Sequence, residues 1–241
     1  MPVTLESGVL SRAMKTAASI VSARNTIPIL SNVRLEVKGD ALEVVTSNLD
    51  IEFRQRIPIV SGEPLATTVE AKRLSAIAGA VESGAQIALS LGDKRLTVKS
   101  GRSRWVLPVL PVDDFPVLPC DASAQPIQMN GPDLAQALNR VLWSVSSEET
   151  RYYLCGAFFN MEEGKLRLAC TNGHTLAAFT TRQDWPAGWP DVIAPTIALR
   201  TIERLCAEAE QHLDEVARLL GEQATEQVQQ GRFSYAAKAP V

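Results

Sequence analysis

With 241 residues, 46% hydrophobic and 21% charged, the chain has globular composition and room for one large domain or two ordinary ones. Its apolar runs are broken by charge or proline well short of the roughly 18 residues of a membrane span, and the N-terminus has no basic-then-apolar leader, which predicts a cytoplasmic protein. A net charge of −3 excludes a surface that is basic throughout and leaves only a local basic face open to nucleic acid.

The first predicted element is a helix starting near residue 8, in which Leu10, Ala13, Met14, Ala17, Ala18 and Val21 recur at helical spacing. Arg12, Lys15 and Ser19 fall beside that stripe at i, i+3 and i+7, so the outward face is cationic, and Arg24 follows it. Leu30, Val33, Leu35 and Val37, then Leu42 and Val44, alternate as two half-buried strands around the turn Gly39-Asp40. A second helix starts near residue 70, opens with Lys72-Arg73 and buries Leu74, Ile77 and Val81. Beyond Gly101-Arg102 come Trp105 and Leu107, which on residue type alone fit burial in the core. The proline-rich run over 111–126 reads as a linker, which divides the chain into domains 1–122 and 123–241.

Past the linker the first half returns at an offset of 124 residues. The helical stripe maps onto Leu134, Ala137, Leu138, Val141, Leu142 and Val145. The strand pair maps onto Leu154, Ala157, Phe159, Met161, Leu166 and Leu168, with Glu163-Gly164 at the turn. Thr46-Ser47-Asn48 maps onto Cys170-Thr171-Asn172 at the same offset. With small slips, Leu199, Ile202 and Cys206 answer the second helix, and Gly231-Arg232 answers Gly101-Arg102. Helix starts near 8, 70, 132 and 195 give a spacing of about 62. The predicted fold class is therefore α+β, two pseudo-repeated domains each with two helices packed on antiparallel sheet. The third helix presents Arg140 beside Gln136 and Asn139, and the fourth carries Arg200 and Arg204 among glutamates. From spacing alone, all these cations fit an ordinary solvated helix face as well as a phosphate-binding one.

Catalytic and metal chemistry find little support. Cys120, Cys155, Cys170 and Cys206 lie far apart with no CxxC pair, which indicates neither a disulfide framework nor a zinc site. Cys170 or Cys155 with His174 would supply a nucleophile and a base, but no acidic orienter or oxyanion loop accompanies them. No Walker loop, dinucleotide fingerprint or metal spacing occurs, so no catalytic residue, cofactor or metal is expected.

Several segments, in order, resemble motifs of one family: Arg24 to Asn32 (RNTIPILSN), Ser100 to Trp105 (SGRSRW), Asp114-Phe115-Pro116, Arg151 to Gly156 (RYYLCG) and Thr171 to Ala177 (TNGHTLA). The family is the bacterial DNA polymerase III beta subunit, the sliding clamp, of which the chain resembles the first two of three domains. The resemblance implies the DNA-clamp fold, domains around a hole with helices inside, and a replication processivity factor that is not an enzyme. It places Arg24, Lys72 and Arg73 at positions that contact DNA, so the expected DNA-binding set is Arg12, Lys15, Arg24, Lys72, Arg73, Arg140, Arg200 and Arg204 on sequence-independent duplex DNA. It places Leu154, Thr171, Gly173, His174 and Leu176 in half of a cleft for short linear motifs of DNA polymerase III and clamp-loader subunits. It places Trp105 and Leu107 at the subunit interface, on an outer edge strand whose exposed apolar residues would seek a partner. Because a third clamp domain is expected to be absent, a monomer or a weakly self-associating species is expected, with a trimer through the edge around Gly231, Phe233 and Tyr235 as the alternative. A second functional reading is a clamp-derived interaction module or fragment that does not encircle DNA.

Overall fold

The computed structural model describes residues 2–21, 26–49, 51–118, 129–185, 188 and 190–207. Arg24, Gly231, Phe233 and Tyr235 lie outside these residues. The chain divides into two compact units, Met1–Pro119 and Cys120–Val241.

In the first unit, strand β1 (Val3–Glu6) runs directly into helix α1 (Ser7–Ile20). Glu6 makes the junction abrupt: its carboxylate accepts from Gly8 N at 2.9 Å and Val9 N at 3.2 Å, satisfying donors that the first helical turn cannot. Gly84 N, far along the chain, donates to the same group at 3.1 Å. These backbone donors hold the Glu6 carboxyl below its ordinary pKa. Strands β2 (Asn32–Lys38), β3 (Ala41–Ser47), β4 (Glu52–Pro58) and β5 (Ala66–Glu70) precede helix α2 (Ala71–Ala80). Strands β6 (Gln86–Leu91), β7 (Arg95–Ser100) and β8 (Ser103–Leu110) follow it.

These eight strands form one antiparallel sheet in the order β1-β6-β7-β8-β5-β2-β3-β4. The ends of that order nearly meet, because Thr4 N donates to Ser61 O and Val60 N to Thr4 O, both at 2.7 Å, just beyond β4. Both helices pack on one face of this sheet. Leu10, Met14 and Leu74 are fully buried with Leu35, Val44, Ile87, Leu89 and Val98. Gly8 lies near Ser83 and Ser11 near Gly79, so α1 and α2 run antiparallel.

The second unit begins with α3 (Gly131–Val141), capped by Asn130, whose side chain accepts from Asp133 N at 3.1 Å. Strands β9 (Gly156–Glu162), β10 (Lys165–Thr171), β11 (Leu176–Asp184) and β12 (Val192–Pro195) form a sheet in the order β11-β10-β9-β12. A further helix, α4, occupies 196–207. Leu138 and Val141 from α3 and Leu199 from α4 share one core with Phe159, Leu166, Leu168 and Trp185.

Three expectations need correction. Leu30 and Leu154 do not open strands: each ends or nearly ends a 3-10 turn, Pro28–Ser31 and Glu149–Leu154, and the first of these has proline at its start to fix φ. Leu107 is not exposed. It is 6% exposed and belongs to the first unit's core, with Trp105 half-buried against the same core. The alternation of β8 directs Arg104, Val106, Pro108 and Leu110 outward instead. Nor is β8 at the end of the sheet order, although it meets β5 only at Val109 and Leu110, while its residues from Ser103 to Pro108 pair with β7.

The Glu6 cap yields a pH signature. Because the folded pKa lies below the unfolded one, the stabilisation is present above the unfolded value and is lost as pH falls through the folded value. Glu6→Gln is expected to cost about 1 kcal/mol at neutral pH, and thermal melts should show the gap to wild type closing on acidification below the ordinary carboxylate range. A gap independent of pH would show that charge plays no part in the cap.

Candidate functional site

Two surfaces collect the residues singled out by sequence. The first is the helix face of the first unit. Burial of one stripe of α1 and of Ala71, Leu74 and Ala78 on α2 leaves Arg12, Lys15, Lys72 and Arg73 exposed. Neither helix contains an aspartate or glutamate, so the face carries four cations and no carboxylate of its own. Arg73 Nε pairs with Glu70 Oε2 at 2.6 Å just before α2, and Arg12 lies close enough to Glu6 to help lower its pKa. On strands β2 and β4, Arg34 pairs with Glu36, Lys38 with Glu43 at 2.6 Å and Arg54 with Glu52 at 2.7 Å. In the second unit Arg140 and Arg200 are exposed, whereas Arg204 is half-buried.

The second surface is the turn between β10 and β11. Thr171 Oγ1 accepts from Gly173 N at 3.1 Å and donates to Thr175 O at 2.7 Å. Asn172 Oδ1 accepts from His174 N at 2.9 Å, from Thr175 N at 2.8 Å and from Thr175 Oγ1 at 3.0 Å. The turn needs a left-handed residue, and Gly173 supplies it at φ 88°. A Cβ on Gly173 would stand 3.4 Å from Arg151 Nη1, so the 3-10 turn that ends in Leu154 lies against this turn. His174 and Leu176 project from it, Leu176 with 69% of its surface exposed, while Leu154 and Thr171 are partly buried. The structure thus brings Thr171, Gly173, His174 and Leu176 together on one turn, with Leu154 on the neighbouring segment.

The repeat extends to this level of detail. In the first unit Leu49 N donates to Ser47 Oγ at 3.2 Å, Ile51 N to Asn48 Oδ1 at 2.8 Å, and the left-handed residue is Leu49 at φ 77°. Two residues that sequence reasoning did not assign to the site belong to it: Asn172, which organises the turn, and Arg151, which packs over Gly173. The shared Asn48 and Asn172 of the repeat were the available signal, since asparagine bonds its own turn.

Among the described residues, the cysteines named above are placed as follows. Cys170 is buried in the core and its thiol is pushed up to about 11 by desolvation, which keeps it protonated and unreactive at neutral pH. Cys155 directs its thiol to the carbonyl oxygen of Glu148 at 3.4 Å. Among the described residues, no group of three or more His, Cys, Asp or Glu side chains could hold a metal ion, and no helix is long and apolar enough to cross a membrane.

Comparison with known proteins matches residues 1–119 to the N-terminal domain of the DNA polymerase III beta subunit and residues 128–230 to its central domain. The chain belongs to this family. It is 36% identical over 221 residues to the beta sliding clamp of Caulobacter vibrioides, covering 89% of this chain and 59% of that one. It is 34% identical over 178 residues to the beta sliding clamp of Escherichia coli K12, covering 73% and 49% respectively. The solved Caulobacter crescentus polymerase III beta structure superposes with a TM-score of 0.79 at 36% identity, covering 86% of this chain and 58% of that one. A Pseudomonas aeruginosa sliding clamp bound to griselimycin gives a TM-score of 0.79 at 30% identity, covering 86% and 57%. The chain therefore spans less than two thirds of the length of these clamps, and the clamp fold accounts for its helix-on-sheet units.

The turn gives a test within this clamp-family chain. Gly173→Ala places a side chain in left-handed backbone and presses it towards Arg151, and is expected to cost about 1–2 kcal/mol. Chemical denaturation checks this, and an unchanged midpoint would contradict the assigned turn.

Proposed function

We propose that the chain acts as part of a DNA sliding clamp, a non-catalytic processivity factor of the bacterial cytoplasm that holds duplex DNA without reading its sequence. The observation that carries this reading is the charge on α1 and α2: four exposed cations with no acidic residue on either helix, in a protein of net charge −3. Phosphate contacts act over about a Debye length, roughly 8–10 Å in ordinary salt, so a local face of one sign outweighs the net charge. Arg24, Arg140, Arg200 and Arg204 join this set in the proposal, Arg204 with less of its side chain available.

The turn at Thr171, Gly173, His174 and Leu176, with Leu154 beside it, is proposed to receive apolar side chains from short linear motifs of DNA polymerase III and the clamp loader. Leu176 supports this, because a leucine 69% exposed at the start of a strand is an anchor without a covering partner among the described residues. Self-association is proposed through the stretch of β8 from Ser103 to Pro108 that pairs only with β7, where backbone groups can extend the sheet into another chain. In that arrangement Trp105 and Leu107 support the strand from the core side and Val106 makes the outward contact.

The DNA reading is tested by anisotropy of a labelled duplex across a salt series. Affinity is expected to fall as salt rises. Replacing Arg12, Lys15, Lys72 and Arg73 by alanine should weaken binding at low salt about tenfold or more and lower the slope by about 0.9 per lost phosphate contact. Salt-independent association, or a slope untouched by the four substitutions, would overturn it in favour of an interaction module that does not hold DNA.

A further inference from the structure

The second unit contains an open cavity of about 470 Å³ at the end of α3, among whose walls are Trp143, Val145, Ser147, Glu149, Cys155 and Arg200. Its lining combines apolar residues with the charged Glu149 and Arg200. Trp143 is 64% exposed, yet its ring is held, because Nε1 donates to Arg140 O at 2.9 Å. Two other lining residues are joined to each other: Thr196 Oγ1 donates to Cys155 O at 2.7 Å and Thr196 N to the same oxygen at 3.1 Å, linking the start of α4 to the 3-10 segment. Trp143, Arg200 and Glu149 therefore line one concavity, with the indole held in place. Tyr152 and Tyr153, 79% and 52% exposed and packed edge to face at 5.7 Å, make the adjoining 3-10 turn rich in exposed rings as well.

We propose that this cavity seats an unpaired nucleobase, with the indole of Trp143 stacked on its face, the Arg200 guanidinium on the attached phosphate and the Glu149 carboxylate accepting from an exocyclic amino group. Each wall meets a different part of one nucleotide. Every base offers a π-face to an indole, and stacking on a ring already held in place costs little ordering. An ionised carboxylate only accepts, so cytosine or adenine, which carry amino groups, fits Glu149 better than thymine. A base within a duplex cannot enter, because both its faces are stacked and its pairing edge is occupied. The ligand is thus a single strand or a free nucleotide. The inference rests on the reading of Arg140 and Arg200 as cations that face DNA, and it adds a site for unpaired bases to a face proposed for duplex.

Of the four tryptophans, Trp143 is exposed, Trp105 half-buried and Trp185 buried, and Trp189 lies outside the described residues, so the quench that reports on the site is the part lost in Trp143→Phe. Titration with single-stranded dC, dA and dT oligomers is expected to quench emission, with dC and dA binding several-fold tighter than dT. In anisotropy with a labelled dC oligomer, Trp143→Ala should weaken binding about tenfold or more, Trp143→Phe by less, and Glu149→Gln should remove the preference over dT. Competition by dCMP as strong, per base, as that of the oligomer identifies a free nucleotide as the ligand, and weak competition identifies a strand. Unchanged oligomer affinity in a Trp143→Ala protein with a normal thermal melt would overturn the proposal. If that variant fails to fold, lack of quenching in wild type together with an unaltered base preference in Glu149→Gln would overturn it equally. Salt-dependent duplex binding by the wild-type protein, measured in parallel, holds or fails separately and so isolates the reading of the helix face.

Discussion

Burial of the apolar stripe of α1 governs the rest of the first unit. Leu10, Met14 and Ala17 are fully buried against the sheet, and each large side chain so buried contributes about 1.5–3 kcal/mol. Rotating the helix to hide Arg12 or Lys15 would lose those contributions and place a charge in the core, where desolvation is costly. The cations thus face outward because the core permits no other orientation. Their exposure follows from packing.

The same packing separates charge by secondary structure. The cations Arg34, Lys38 and Arg54 of β2 and β4 have carboxylates as near neighbours, in Glu36, Glu43 and Glu52. Alternating strand residues and cross-strand positions make such pairing local. On α1 and α2 the sequence offers no acid within either helix, and the neighbouring carboxylates, Glu6 and Glu70, sit just before the two helices, next to Arg12 and Arg73. A protein with more acids than bases can in this way present a surface suited to phosphate.

The duplication made much of this architecture legible without coordinates. Helix starts expected near 8, 70, 132 and 195 lie at Ser7, Ala71, Gly131 and 196, because a 3.6-residue stripe is a strong and local signal. The faces of β8 were less legible. Alternation shows that Trp105 and Leu107 share one side of a strand, but which side meets the core depends on the register with β7 and β5, a long-range property. Trp143 was also beyond the pattern: the chain leaves α3 through a 3-10 turn, Leu142–Ser144, which carries the indole away from the buried stripe. The turn at Gly173 was partly legible, since its glycine and asparagine name a turn, whereas the approach of Arg151 from a separate segment did not show in local sequence.

The central claim is that the helix face of the first unit, and not its strands, meets DNA. Lysine-selective acetylation read by mass spectrometry, with and without duplex DNA, tests it most directly, because Lys15 and Lys72 lie on the helices while Lys94 and Lys99 are exposed at the turn before β7 and on β7 itself. The account predicts that duplex protects Lys15 and Lys72 and leaves Lys94 and Lys99 as reactive as before. Equal protection of all four, or protection of the strand-side pair alone, would contradict it.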